Sequence, residues 1–521
     1  MTSPSEETPK ANKWVVALSV MLPTFIEVMD TSVVNVSLPH IQGSLNAGVD
    51  EATWVLTSYL VANAIIIPIT GWLASVFGRR RYLIFSLVVF TASSILCGAA
   101  PSLQVLIVAR ILQGLGGGGL QPLSQAILLE TFPRREHGIA MAVFGMGVVM
   151  APIVGPIVGG WITDEWSWRW IFYINLPAGI LAVFLIGIFI HDPHYIKRVV
   201  FKIDKWGLLF LTVGLGALQI ALDKGEREDW FQSNFIITLA ITATVALILF
   251  VIVELHTEHP VVDIRVFKDT NFSAGTAIMF LGFFCLFASI VLLPLYVQEL
   301  MGYTAFWAGL VLGPGGISTF LIMPVAGILM RKGIKPGYLV AIGLSSAAFA
   351  LTMMSKFNLQ GDFYSISLPR FIQGIGMGLF FVPLAGASFV NIRVEKTGNA
   401  SGIFNLLRNL GGSFGTAFST TLLSERSQFH QTFLSENISL YKPAFREAYQ
   451  HAYNFLGANQ SAAAPSAGGL AYFYQEILRQ ASMLSFNDAF FILSIATAIL
   501  VPLALLLNRS PARSSSGPAV H

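Results

Sequence analysis

The 521 residues are 54% hydrophobic and only 11% charged, with a mean hydropathy of +0.68, whereas a soluble domain carries roughly 25% charged residues. Such a chain is a polytopic membrane protein, not a soluble enzyme or binding module. The formal net charge of +3 gives no case for a nucleic-acid partner, and the two cysteines, Cys97 and Cys285, both inside apolar spans, exclude a disulfide framework.

Residues 1–13 are polar, lack a signal-peptide pattern and are expected to form a cytoplasmic tail. The first apolar run, from Trp14 to Pro39, can cross a bilayer, which takes about 20 apolar residues, and is expected to remain as a signal anchor. It contains no Lys or Arg but carries Glu27 and Asp30, three residues apart and so on one helix face. Carboxylates in the hydrocarbon region are costly unless they face a cavity or a partner. This face is therefore expected to line an internal polar space and to bind something, a proton and a cationic solute being the natural candidates, with Asn35 as a further pathway residue. Thirteen more apolar spans follow, near 52–74, 82–100, 103–123, 138–161, 170–190, 206–222, 234–254, 272–296, 305–329, 338–355, 365–389, 400–422 and 485–507. Helices are the expected form, because unpaired backbone in lipid is too costly and the runs are too long for barrel strands.

After span 2 the chain reads GWLASVFGRRRYL. Gly71 and Gly78 allow tight turning and close helix approach, and Arg79 to Arg81 fix topology, with gating as a second role for Arg79. Arg110 lies about 10 Å into span 4 and Asp30 about 12 Å from the same surface, at 1.5 Å per residue. Matching depths predict an ion pair, either a permanent tether or a working, breakable one; Gln113 is a possible pathway residue on the same span. The run GLGGGG at 114–119 fits G-x-G-x-x-G formally, but it sits in a membrane span with no preceding strand and no G-K-[ST], so it predicts close helix packing rather than nucleotide binding. In span 5, Gly147, Ala151, Gly155 and Gly159 form one smooth face, and Pro152 and Pro156 predict a bent gate helix. Phe283, Phe284 and Phe287 are an aromatic pocket or ordinary core. In span 13, Asn405, Arg408 and Asn409 are a pathway cluster or a structural one. His191, His194, His256 and His259 lie in loops without further ligands, so no metal site is expected.

Lys and Arg concentrate in alternate short loops, on the side that also holds both termini, which are expected in the cytoplasm. The chain also repeats: RILQGLGGG at 110–118 returns as RFIQGIGMG at 370–378, and Gly138, Ala140, Phe144 and Gly155 align at the same offset with Gly398, Ala400, Phe404 and Gly415. The expected organisation is a six-helix bundle over 14–190, two inserted helices within 191–271, a second six-helix bundle over 272–507 and a tail at 508–521. Two parallel repeats around a central site are a transporter architecture. The outer loop 423–484 is far longer than the others. Two amphipathic helices are expected there, one with Phe445, Tyr449, Ala452, Tyr453 and Leu456 on a face and one with Ala471, Tyr474, Leu478 and Ala481.

These stretches together resemble the fourteen-span drug:proton antiporters of the major facilitator superfamily. MDTSVVNVSLP at 29–39, GWLASVFGRRRYL, RILQGLGGG and APIVGPIVGG resemble its motifs of span 1, the following loop, span 4 and span 5. WRWIFYINLPAG at 168–179 and LQIALDKGEREDWF at 218–231 make EmrB-type permeases the best likeness. One departure is Ser75, where the superfamily loop motif usually has Asp, so a gating salt bridge from that position is absent. The resemblance implies an all-α major facilitator fold and export of hydrophobic drugs driven by proton entry, with no cofactor beyond the proton gradient. It also implies an inner-membrane location, an EmrA-like periplasmic adaptor and an outer-membrane channel. A facilitator or importer on the same fold is the alternative. A membrane-embedded enzyme would need a nucleophile–base or metal constellation within the spans, and none is evident.

Overall fold

Polar side chains start the helices where the apolar runs begin. Asn12 accepts from the Trp14 amide at 3.0 Å to open α1 (Lys13–Ser44), and Asp204, Asp269 and Asp362 cap α9 (Lys205–Lys224), α11 (Thr270–Leu295) and α14 (Phe363–Ser388) in the same way. Such a cap satisfies amides that the first turn leaves without partners. The computed structural model describes residues 12–192, 204–436, 445–447, 450 and 465–508. Between α1 and α9 come α2 (Val49–Phe77), α3 (Arg79–Gly98), α4 (Leu103–Gly117) continued by α5 (Leu120–Thr131), α6 (His137–Glu165), and α7 (Trp170–Tyr173) continued by α8 (Asn175–Phe189). The others are α10 (Asn234–His256), α12 (Ala305–Arg331), α13 (Pro336–Met354), α15 (Thr397–Ser435) and α16 (Pro465–Ala504).

Taking α4 with α5 and α7 with α8, these helices make fourteen long segments, in the order of the fourteen expected spans. Thirteen are long and apolar enough to span a membrane. The remaining one, α15, is too polar by composition, because Asn405, Arg408 and Asn409 interrupt it. It tolerates them by packing among α2, α11 and α16, so that Asn405 and Arg408 are buried in protein. Apolar side chains such as Phe85, Val108, Phe184, Ile241 and Ile248 are exposed, as suits a surface against hydrocarbon.

The first bundle comprises α1–α8 and the second α11–α16. Helices α9 and α10 pair with each other, and α9 rests against α2 and α15. The repeat therefore appears in space as it does in sequence. Contacts between the bundles concentrate toward the end that carries the basic loops. A Cβ on Gly71 would strike the Gly398–Asn399 backbone, and one on Gly402 would strike that of Ile67 and Pro68. Gly138 lies against Met330 and Gly327, and Gly145 against Met323 and Phe381. Gly71 is inside α2, so its role is close helix approach. Gly78 is the turn, with φ of +87°, where a Cβ would also meet the Asp192 carboxylate.

One expectation changes. Residues 423–484 are not a loop throughout: α15 continues to Ser435, and α16 begins at Pro465 and runs through the last span without a break. Helix-forming side chains continue past the apolar runs, so hydropathy misplaced both boundaries. The face with Tyr474, Leu478 and Ala481 therefore belongs to α16, while Tyr449, Ala452, Tyr453 and Leu456 lie outside the described residues, as do His194 and both terminal tails beyond Asn12 and Asn508. Helix α6 runs across both Pro152 and Pro156.

Candidate functional site

Span 1 supplies two buried carboxylates, and each has its own set of donors. Asp30 accepts from Arg110 Nη1 at 2.6 Å, Gln113 Nε2 at 2.9 Å and Asn175 Nδ2 at 2.7 Å. Arg110 is fully buried. It also donates through Nε to the Val55 carbonyl at 3.1 Å and through Nη1 to Gln113 Oε1 at 2.7 Å, and its guanidinium lies over the Tyr59 ring, 4.1 Å from the centroid. The matched depths of Asp30 and Arg110 thus become a contact pair enclosed by α1, α2, α4 and α8. In low dielectric such a pair is worthwhile only when its remaining donors and lone pairs are used, as most are here.

Glu27 belongs to a second network, which faces the other bundle. Its Oε1 accepts from Asn63 Nδ2 at 2.9 Å and Tyr59 Oη at 3.2 Å, and its Oε2 from Gln121. Gln121 in turn accepts from Arg408 of α15. A neutral amide therefore connects a carboxylate of one bundle to a guanidinium of the other. Arg408 is buried beside the Phe283 ring, with Nη1 lacking an acceptor among the described residues. Nearby, Asn405 Nδ2 and Ser401 Oγ both donate to Gln125 Oε1, at 2.5 and 2.8 Å. Tyr59 joins the two networks, since its hydroxyl meets Glu27 while its ring supports Arg110. The acids share a helix face, as their spacing requires, but they are poised differently: Asp30 is held within one bundle and Glu27 at the seam between two.

The other predicted residues fall into three groups. Gly155 and Gly159 press against Ser32 and Val33 of α1, where a Cβ would come within 2.6 and 2.8 Å, and Gly147 lies against Met21. This face, with Pro152 and Pro156 on the same helix, packs α6 on α1. Arg79 is ion-paired with Glu130 of α5, which supplies the carboxylate that Ser75 does not; the Ser75 hydroxyl bonds instead to the Trp72 carbonyl at 2.7 Å. Asn35 is exposed and belongs to neither network. Phe283 stacks loosely with Phe287 and Phe381, at 5.9 and 6.0 Å between centroids, while Phe284 turns to Phe418. Tyr59, Asn63, Gln121 and Asn175 went unforeseen. The i, i+4 pair of Tyr59 and Asn63 inside an apolar span was the available signal for the first two. Among the described residues, no group of three or more His, Cys, Asp or Glu side chains could hold a metal.

Comparison with known proteins places this geometry in a lineage. The chain is 40% identical to the multidrug export protein EmrB of Haemophilus influenzae over 92% of both chains, and 36% identical to EmrB of Escherichia coli over 96% of both. It is 37% identical to the fatty acid resistance protein FarB of Neisseria gonorrhoeae over 97% of both. Among solved structures, the human organic anion transporter MFSD10 superposes with a TM-score of 0.59 at 14% identity, covering 94% of this chain and all of that one. The proton:xylose symporter XylE superposes with 0.55 at 15% identity, covering 94% and 96%. At such identities these two show the fold alone. Residues 20–416 match the profile described as Major Facilitator Superfamily, and with these relatives the chain belongs to that superfamily of membrane transporters, among its EmrB-type multidrug export proteins.

Proposed function

We propose that this transporter is a proton-coupled exporter of hydrophobic and amphipathic drugs across the bacterial inner membrane, with both termini cytoplasmic and the proton gradient as its only energy source. The observation that carries the reading is the pair of buried carboxylates on α1, each held by neutral donors in addition to, or instead of, a cation. Neutral donors hold a carboxylate without locking its charge, so a proton can be taken up and given back. Asp30, paired with Arg110, is the primary coupling site, and Glu27 transmits its charge state through Gln121 to Arg408 across the seam. With the basic loops on the cytoplasmic side, the close contacts between the bundles at that end correspond to a state shut toward the cytoplasm. Arg408 and Asn405 line the pathway, and α6, with its glycine face and prolines, is the element that shifts on α1.

The names of the relatives support a drug substrate. The proposal extends to an EmrA-like periplasmic adaptor and an outer-membrane channel as partners, with the outer ends of α15 and α16 as the candidate seat. Reconstitution in liposomes with an imposed proton gradient tests the core of the proposal. Addition of a transported dye should release protons from wild-type protein and none from Asp30→Asn protein inserted at equal density. Equal proton release by the variant would reject the assignment of Asp30.

A further inference from the structure

The stretch WRWIFYINLPAG at 168–179 forms the break between α7 and α8 and is fastened to α3. Arg169 Nη1 donates to the carbonyls of Gly98 and Ala100, at 2.9 and 2.6 Å, and Gly179 lies against Thr91. The break sets Asn175, which is fully buried, beside Asp30. Asn175 Nδ2 donates twice, to Asp30 Oδ1 at 2.7 Å and to Ser94 Oγ at 3.0 Å. Ser94 Oγ in turn donates to the Phe172 carbonyl at 2.8 Å. Asn175 Oδ1 is also buried, but it has no donor among the described residues.

These bonds suit an ionised Asp30, which accepts and never donates. A protonated Asp30 has an O–H that needs an acceptor, because a buried polar hydrogen without one costs free energy. Three side chains bond to Asp30, and two of them cannot supply that acceptor. Arg110 has only donors. Gln113 Oε1 already takes Arg110 Nη1 at 2.7 Å and the Cys97 thiol at 3.4 Å, so turning that amide would break the bond that helps to hold the arginine. Asn175 Oδ1 is unused, and turning its amide sacrifices no bond made by the oxygen. The terminal torsion of an asparagine is broad and roughly two-fold, so a half-turn exchanges oxygen and nitrogen. The two lone pairs of Oδ1 then face Asp30 and Ser94, as the two N–H bonds do now.

We propose that Asn175 is the positioning residue that follows the protonation of Asp30, donating through Nδ2 to the carboxylate and accepting through Oδ1 from the carboxylic acid. This rests on the coupling role of Asp30 and gives its protonated form the acceptor it needs. The proton taken up becomes the O–H of Asp30, its bond to Asn175 Oδ1 replaces the bond from Nδ2, and Arg110 keeps its protons throughout. The titratable and charged groups around Asp30 are Glu27 on α1, Tyr59 on α2, Cys97 on α3 and Arg110 on α4. Helix α8 carries none, α7 has only Tyr173, which lies against Gly98, and those of α6 are at its two ends.

Full-length protein in lipid nanodiscs, without a proton gradient, would be stepped from high to low pH and read by infrared difference spectroscopy. Wild type should show a carboxylic-acid carbonyl band that Asp30→Asn lacks. In Asn175→Leu, which keeps the bulk, that band should move to higher wavenumber, because the O–H has lost its acceptor. A second measurement does not depend on the leucine variant folding. In protein carrying isotope-labelled asparagine, an asparagine amide band should shift on the acid step in wild type and stay still in Asp30→Asn. An acid band that does not move in folded Asn175→Leu, or a labelled amide that ignores the step in wild type, overturns the proposal and leaves the coupling role of Asp30 standing. Absence of the Asp30 band from wild type overturns the coupling role, and this proposal with it.

Discussion

The two bundles are built on one plan and differ in their buried acids. Both place an arginine one helical turn before a glutamine on the fourth span and bond the two side chains together. In the first bundle the plan includes Glu27 and Asp30. In the second, those positions are filled by Phe287 and Ile290, and Arg370 and Arg408 are retained with buried nitrogens that lack an acceptor among the described residues. Duplication preserved the cation and its amide while the anion was kept on one side only. Glu27, which has no cation of its own bundle, lies on one side of the seam and Arg408 on the other, so the seam is where charges can change partners, and Gln121 already joins the two there.

The largest test of this comparison is to make the first bundle resemble the second. Asp30→Asn leaves Arg110 as short of a counterion as Arg370 is. Breaking a buried pair by removing one partner costs about 3–5 kcal/mol, so the variant should melt lower and lose substrate-driven proton release; normal melting and normal release together would show that Asp30 is no more than a neutral acceptor. Arg→Lys in each half sharpens the contrast. Arg110→Lys loses a fork that serves Asp30, Gln113 and the Val55 carbonyl together, at about 2–4 kcal/mol. Arg370→Lys loses one such bond, about 1 kcal/mol. Equal losses in the two thermal scans would mean that the arginines are structural equivalents after all.

Smaller effects test where the halves agree. Gly155 and its repeat partner Gly415 both pack span 5 of a bundle against its span 1, with Ser32 Cβ and the Phe284 carbonyl carbon at 2.6 and 2.8 Å from an added Cβ. Leu at either position should cost about 1–3 kcal/mol by overpacking and, at Gly155, should also stall turnover; a Gly155→Leu protein with wild-type stability and transport would make that face dispensable. The smallest contrast is in the loops. Gly78 and Gly333 both hold positive φ, +87° and +92°, but only Gly78 is pressed by another side chain, that of Asp192. Gly78→Ala should therefore lower stability by about 1 kcal/mol more than Gly333→Ala, measured by thermal unfolding in the same detergent.

Much of this was legible in the chain. Hydropathy located the crossings, because length and apolarity are what a bilayer selects. Counting residues in from the ends of two spans placed Asp30 opposite Arg110, since a helix rises by a fixed amount. The partners of Glu27 were not legible. Tyr59, Asn63 and Gln121 come from three turns of two other helices, and nothing in a one-dimensional pattern says which faces of those helices meet. Hydropathy also failed at Ser435 and Pro465, where a helix leaves the bilayer without ending, and it undervalued α15, whose polar residues are covered by neighbours rather than by lipid. No salt bridge comes from Ser75, and nothing in the sequence indicated that Arg79 pairs instead with Glu130.

Helix α15 has a mechanical consequence. It is one unbroken rod of 39 residues, about 58 Å long at 1.5 Å per residue. Its basic end lies against Gly71, its first third carries Arg408, and its far end clasps α16 through Arg426 and His430, which bond Asp488 at 2.5 and 2.8 Å. A stiff rod anchored at the seam behaves as a lever: a small tilt at Arg408 becomes a larger sweep at the tip. The outer tip is thus a pointer that reports from outside the membrane which way the transporter faces, and a force or an antibody fragment applied there would push back on the cycle at its core.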